Sequence, residues 1–370
     1  MTGRPTTAQI DLSALAHNLG EVRRCVSGRK ILGIVKADAY GHGAVECAKR
    51  LVAEGVDMLG VALVEEGSEL RSAGINSEIL VLGGVFEHQV DDLIRHRLTP
   101  AIYTCAQAET FSQAASRVSQ ILPVHVKIDT GMSRVGVMPE DSVDFVLLIS
   151  RLPGLKVEGL MTHLSDVSGP DKSYAEMQVA RFRMVVERLR EEGVEIPLLH
   201  ASGSAAVIDF AAARFNMVRP GIMLYGCYPS EEMRGKVDLK PVMSLKTKIM
   251  HIKKVGPDTP ISYGRTFYTK KESLIATLPI GYADGLNRKL SNRGSVLIGG
   301  KRCPIVGTVC MDMIMVDVSE VPNAKVYDDA VIIGQQGEEQ ITAEEVAGLL
   351  DTISYEVLCN VSKRVGREYR

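Results

Sequence analysis

Short apolar, β-branched runs separated by amphipathic stretches fill the chain from about residue 30 to about residue 225. The runs are ILGIVKA (31–37), MLGVAL (58–63), EILVLGG (78–84), TPAIYT (99–104), PVHVKID (123–129), VEGLMTHL (157–164), LLHAS (198–202) and MVRPGIMLYG (217–226). Alternation of such runs with helical patterns predicts repeated βα units around a parallel sheet. Between the runs, Val45, Ala48 and Val52, and later Met177, Ala180, Met184, Val185 and Leu189, recur at helical spacing and predict apolar faces that cover the sheet. Eight units within about 200 residues fit a closed (β/α)8 barrel better than an open doubly wound sheet.

The pattern changes after about residue 235, where SLKTKIMHIKKV, SLIATLPIGYADG and SVLIGGKRCPIVG read as strands of a second, mainly antiparallel domain. Gly299-Gly300 suits a two-residue primed hairpin turn. Thr342, followed three residues later by Glu345, predicts a capping box that opens a last helix. The expected organisation is therefore a barrel domain over residues 1–235, its extreme N-terminus packing on the second domain, and a β-rich domain over 236–370.

Composition narrows the function. In 370 residues, 45% hydrophobic and 24% charged, the net charge of -2 provides no positive field for nucleic acid or an anionic membrane. No segment reaches the roughly 20 apolar residues of a membrane span and no leader is evident, so a cytoplasmic location is expected. Seven scattered cysteines without a CxxC pair read as reduced thiols, and neither a disulfide framework nor a metal site is expected. A small-molecule ligand is left.

The unusual polar residues of the barrel half fall at the C-terminal ends of the expected strands, where barrel active sites lie. Lys36 ends the first run, Lys127 and Asp129 the fifth, His163 the sixth, Ser202 and Ser204 the seventh, and Arg219 lies on the eighth. An amine at a partly desolvated strand end suits Schiff-base chemistry, although a lysine reaching out to solvent fits Lys36 alone equally well. Tyr40 with Gly41 and Gly43, and the turn at Gly221 and Ile222, offer a hydroxyl and backbone amides to a phosphate. His163 read alone is a satisfied rim histidine; beside Arg219 it becomes a neutral acceptor.

Taken together, VKADAYGHG, VHVKIDTGMSRVG, MTHLSD, VRPGIMLYG, SYGRTF, LPIGYADG and VGTVCMD resemble, in order and spacing along nearly the whole chain, the bacterial alanine racemases. That resemblance implies a pyridoxal phosphate enzyme that interconverts L- and D-alanine with two opposed bases and supplies D-alanine for peptidoglycan. It implies Lys36 as the lysine holding the cofactor, with Tyr40, Ser204, Gly221, Ile222 and Tyr355 around the phosphate and Arg219 on the pyridine nitrogen, supported by His163. It further implies Tyr263 as the second base, reaching the barrel of the other subunit in a head-to-tail homodimer. Arg134 and the backbone of Met311 correspond to groups that hold the substrate carboxylate, Lys127 to a lysine that carries a carbamate in many relatives, and Asp312, Tyr282 and Arg288 to supporting or entrance positions.

The chain departs from the family pattern at Gly203, where many relatives have Asn, and at Thr308 and Met313, where Arg and Gln are common. These changes are expected near the mouth of the site, where they bear on substrate breadth and keep a serine or broad-specificity racemase open as an alternative. A single-barrel cofactor carrier and a basic amino-acid decarboxylase share the lysine strand. The former lacks a second domain such as the one bearing Tyr263, and the VRPGIMLYG and VCMD motifs speak against the latter.

Overall fold

The computed structural model describes residues 3–321 and 323–370, and among them the chain forms two compact units. One consists of Leu15–Ala39 and Ala44–Leu239; the other gathers the segment ending at Ala14, Tyr40–Gly43 and Lys240–Arg370.

Before the first unit begins, β1 (Thr7–Ile10) belongs to the second. The first unit is a closed parallel barrel of eight strands: β2 (Lys30–Ile34), β3 (Met58–Val61), β4 (Glu78–Val81), β5 (Thr99–Ile102), β6 (Leu122–Lys127), β7 (Leu155–Met161), β8 (Leu198–His200) and β9 (Met217–Val218). β9 closes on β2 through the pairs Lys30 with Met217 and Ile31 with Val218. All eight expected runs contribute a strand, but each strand stops two to eight residues short of its run. The eighth run shows why: Pro220 lacks a ladder donor, and from Ile222 to Tyr225 the chain winds into a 3-10 turn.

The first run ends differently. Residues Lys36–Gly41 form a helical turn in which Ala37, Asp38, Ala39 and Tyr40 all have φ between 52° and 54°, so it is left-handed. Four non-glycine residues in that region cost roughly 4–8 kcal/mol at about 1–2 kcal/mol each. Local bonds hold the barrel part of it: Glu66 Oε1 accepts the Ala37 N–H at 2.7 Å, and Asp38 Oδ1 accepts the Ala44 N–H at 2.7 Å.

The expected helices form, but their buried faces are rotated by about one residue. Helix Ala44–Ala53 buries Ala44, Cys47, Ala48 and Leu51, so Val45 and Val52 flank the buried stripe rather than forming it. In Ser173–Glu191, Val185 and Leu189 are buried as expected, but Ala180 and Met184 are exposed and Gln178 is buried along with Ala175, Val179 and Phe182. Gln178 is tolerated inside because it is satisfied: its amide donates to the His163 carbonyl at 3.2 Å and accepts the Ser165 N–H at 2.9 Å.

The second unit is mainly antiparallel. Its largest sheet runs β16 (Lys301–Pro304), β15 (Ser295–Ile298), β18 (Asp329–Gln336), β10 (Met243–Lys248), β1 and β20 (Gly366–Tyr369), with β19 (Glu339–Ile341) also on β18. A three-stranded sheet joins β11 (His251–Val255), β14 (Ser273–Leu278) and β17 (Ile314–Asp317), and β12 (Pro260–Ile261) pairs with β13 (Phe267–Tyr268). The single expected strand SLKTKIMHIKKV is thus two strands in different sheets. Gly299 and Gly300 have φ of 60° and 74° between the paired residues Ile298 and Lys301, as a primed hairpin requires. Thr342 Oγ1 caps the Glu345 N–H at 3.1 Å, but the Glu345 carboxylate bonds Arg302 at 2.6 Å instead of returning to the cap, so only half of the capping box forms.

Candidate active site

Within the barrel unit, the polar residues expected at the strand ends surround Arg219. Directly after β9, Arg219 is 5% exposed and donates to the Thr162 carbonyl at 2.7 Å, the Ala201 carbonyl at 3.1 Å, His200 Nδ1 at 2.9 Å and His163 Nδ1 at 3.2 Å. It has no carboxylate partner among the described residues. Burial, and then the charge of Arg134, lowers its pKa to about 10, which leaves it protonated at neutral pH.

The histidines around it are held neutral. Burial first, and then the Arg219 charge, pushes His163 and His200 well below the ordinary imidazole value, and lowers His125 to about 3. Since Nδ1 of both His163 and His200 receives an arginine N–H, the proton of each sits on Nε2. From His200 Nε2 that proton is donated to His125 Nδ1 at 2.8 Å, deep in the barrel.

Neither His200 nor His125 figured among the candidate residues, although both stand in apolar strands. The legible signal was period two: His125 and Lys127 lie on the same face of β6. Both histidines are fully buried. Because their folded-state pKa is depressed, their contribution to stability is full above the unfolded value near 6.5 and is lost as pH falls below it, where only the unfolded chain takes up the protons. We therefore expect the unfolding free energy to drop by up to about 3 kcal/mol per pH unit below pH 6, roughly 1.4 from each histidine. Denaturant unfolding at pH 7, 6 and 5 checks this; a flat profile would contradict the neutral pair.

Lys127 is 3% exposed at the end of β6, and its pKa is lowered to about 8 by burial, then by Arg219 and Arg134, against a smaller opposing effect of Asp129. Asp129 itself is committed to backbone, accepting the N–H groups of Gly131 and Ser133 at 3.0 Å each. Burial raises its pKa, but these amides outweigh burial and hold it below the usual carboxylate value. The charges of Lys36, Lys127, Arg134 and Arg219 all reach His163. Such a concentration of cationic groups around one carboxylate already committed to backbone suits the binding of an anionic group.

A place for one anion lies nearby. Ser204 Oγ accepts the Gly221 N–H at 2.9 Å and the Met223 N–H at 3.3 Å. The Gly221 amide is thereby engaged, whereas the N–H of the fully buried Ile222 has no acceptor among the described residues. Lys36 is half-buried at the start of the left-handed turn, two residues past the end of β2 rather than on the strand itself, and Arg134 is exposed without an ion-pair partner among the described residues. Gly203 leaves open space beside His163: a Cβ there would lie 3.5 Å from the ring, an ordinary contact.

In the second unit, Tyr40 and Tyr355 face each other with ring centroids 5.9 Å apart. Burial, followed by the neighbouring Tyr355 and Cys359, raises the Tyr40 pKa strongly, so its phenol remains a hydrogen-bond donor. Tyr263 is 72% exposed, and its carbonyl accepts the hydroxyl of Thr308 at 2.9 Å. Thr308 is thus a buried brace for the Tyr263 backbone, and Met313 is exposed. Tyr282, Arg288, Met311 and Asp312 are all exposed, Asp312 bonding Arg364 at 2.6 Å.

A closed parallel barrel whose strand ends gather buried Arg219, Lys127 and neutral histidines, in a chain with a second, mainly antiparallel unit, defines a class of two-domain barrel proteins with a cationic strand-end site. The family profiles for the alanine racemase N-terminal and C-terminal domains match residues 10–229 and 242–369. Alanine racemase of Halothermothrix orenii is 47% identical, over 99% of this chain and 97% of its own. Among solved structures, the alanine racemase of Clostridium difficile 630 superposes with a TM-score of 0.96 at 42% identity, covering 100% of this chain and 97% of that one. The alanine racemase of Bartonella henselae, with covalently bound pyridoxal phosphate, gives 0.90 at 27% identity with full coverage of both chains. The chain belongs to the alanine racemase family and is an enzyme, an isomerase. No helix among the described residues is long and apolar enough to cross a membrane.

Proposed function

We propose that this chain interconverts L- and D-alanine with pyridoxal phosphate, using Lys36 and Tyr263 as bases on opposite faces of the substrate. The observation that carries the reading is the buried guanidinium of Arg219, ringed by neutral acceptors and lacking a counter-ion among the described residues. The barrel residues fit the cofactor: Ser204 and the unpaired Ile222 amide suit a phosphate and Arg219 suits a ring nitrogen, and the family resemblance assigns Gly221, Tyr40 and Tyr355 to the same phosphate. Bound there, pyridoxal phosphate would withdraw electrons from the substrate α-carbon and acidify its hydrogen.

Arg219 keeps its own proton, so a ring nitrogen facing it stays unprotonated and the electron withdrawal is moderated. That favours rapid return of a proton over side reactions. Lys36, which would hold the cofactor, takes or gives the proton on one face. Tyr263 of the partner subunit, in a head-to-tail homodimer, serves the other face; two bases are needed because one group returning its proton on the same side regenerates the starting enantiomer. His163, neutral with a proton on Nε2, can donate to a phenolate and so help a tyrosine act as a base near neutrality.

Arg134 would take the substrate carboxylate in its guanidinium fork together with the Met311 amide. Lys127 would position Arg134 as a carbamate: a pKa near 8 leaves a sizeable fraction of free amine to add carbon dioxide, with release of a proton, and turns a cation beside Arg134 into an anion. Intact mass spectrometry under native conditions should find the chain heavier by one carbon dioxide, lost on acidification and absent in Lys127→Ala. An unmodified mass at neutral pH would remove the carbamate from the scheme.

Tyr282, Arg288 and Asp312 would line the approach to the site, and Met313 and the space at Gly203 would bear on substrate breadth. A cytoplasmic supply of D-alanine for peptidoglycan is the role that follows. The function as a whole is tested by an absorption spectrum of the purified protein with a coupled assay of L-alanine and, in parallel, L-serine. Visible cofactor absorption with alanine turnover supports it; neither signal, or a preference for serine, overturns the alanine assignment.

A further inference from the structure

The loop through Met311 is fixed by a turn that does not itself reach solvent at its anchor. In the 3-10 turn Tyr282–Asp284, the Tyr282 N–H is donated to the Cys310 carbonyl and the Ala283 N–H to the Met311 carbonyl, both at 3.0 Å. A trans peptide is planar, with its C=O and N–H opposed. Fixing the Cys310 oxygen therefore sets the direction of the Met311 N–H, and fixing the Met311 oxygen sets that of Asp312. Neither of these two N–H groups has an acceptor among the described residues. The approach is close enough to demand glycine at position 281, where a Cβ would come within 2.3 Å of the Met311 oxygen and 2.4 Å of the Cys310 oxygen.

Asp284 anchors this turn. It is fully buried, and Oδ2 accepts the Gly281 N–H at 3.0 Å. Arg4 grips both carboxylate oxygens, at 2.5 and 2.7 Å, and also donates to the Pro279 carbonyl at 2.5 Å. Arg364 places Nε 3.4 Å from Asp284 Oδ1 while its Nη2 bonds Asp312 at 2.6 Å, so one guanidinium ties the turn to the loop. Burial raises the Asp284 pKa, but the Arg4 hydrogen bonds, the Gly281 amide and the two arginine charges outweigh it and keep the carboxyl ionised.

We propose that Asp284, clamped by Arg4 and Arg364, is a positioning residue for substrate-carboxylate binding: it touches no substrate, but through the 281–284 turn it sets the direction of the Met311 amide. The proposal rests on the reading above that this amide meets the substrate carboxylate. A purely structural ion cluster would affect melting temperature and leave substrate affinity alone. A positioning cluster shifts KM while sparing kcat, because the interaction it supports is made in ground state and transition state alike.

The experiment compares the wild-type holoenzyme with Asp284→Asn, which keeps size and loses charge, and with Arg4→Gln, whose guanidinium is partly exposed. KM for L- and D-alanine should rise about tenfold in Asp284→Asn, the scale of one charge-assisted hydrogen bond. In Arg4→Gln, which leaves Arg364 in place, it should rise roughly threefold, about half that free energy. Inhibition by propionate, which presents the carboxylate without an amine, should weaken by the same factors, while cofactor absorption is retained. Should Asp284→Asn fail to fold, Arg4→Gln decides by the same readouts. KM and propionate inhibition unchanged in the folded variants, with or without a lower melting temperature, overturn the positioning role while leaving the racemase reading intact. Failure of the wild-type protein to racemise alanine would overturn that reading and this proposal with it.

Discussion

Replacing Lys36 by alanine is expected to abolish both the visible absorption of protein incubated with pyridoxal phosphate and the interconversion of D- and L-alanine. Two functions are lost at once, because the same amine is proposed to hold the cofactor covalently and to carry a proton on one face. The proton-transfer role alone is worth about 10²–10⁴-fold, so the combined loss should exceed a thousandfold. Lys127, the buried lysine at the end of β6, offers no substitute if it is occupied as a carbamate. Absorption spectra and a coupled assay on the purified variant check the prediction. Retained visible absorption would mean that another amine holds the cofactor, and retained turnover would remove Lys36 from the chemistry.

Tyr263→Phe should separate the two faces. The hydroxyl is removed while the ring, 72% exposed in the monomer, and the Thr308 brace on its backbone remain. Exchange of the α-hydrogen of L-alanine with solvent is expected to slow by about 10²–10⁴-fold, the range of a lost general base, whereas exchange from D-alanine should slow far less. Net racemisation must fall equally in both directions, since the enantiomers are equal in free energy; only the half-reactions reveal the asymmetry. Equal losses in both exchange rates would show that Tyr263 supports the fold or the dimer instead of acting on one face.

Much of this architecture is legible in the hydrophobic pattern, and the places where it is not have physical causes. Apolar character continues through Val35 and Ala37, so the first run reads as strand to its end. The chain instead turns left-handed at residue 37, a conformation held by Glu66 and Asp38 through contacts that no local pattern encodes. The face of helix Ser173–Glu191 is legible at Val185 and Leu189 but not at Gln178, which is polar and is buried because its amide is satisfied.

The candidate site shows the same division. Lys36, Lys127, His163, Ser204 and Arg219 stand out because charged or polar groups interrupt apolar strands just where a barrel opens. His200 and His125 interrupt strands too, but their role depends on meeting each other and Arg219 across the barrel. Arg4 and Asp284 are 280 residues apart, and nothing near either signals the other. Contacts of that separation belong to the tertiary fold and become visible only when it is formed.

The central claim is that two different groups serve the two faces of one α-carbon, and early-phase racemisation of unlabelled L-alanine in deuterium oxide tests it most directly. The account predicts D-alanine fully deuterated at the α-position from the first turnovers, while the L-alanine left behind carries almost no label. D-alanine that retains the original hydrogen would show a single base carrying it from one face to the other, and would contradict the account.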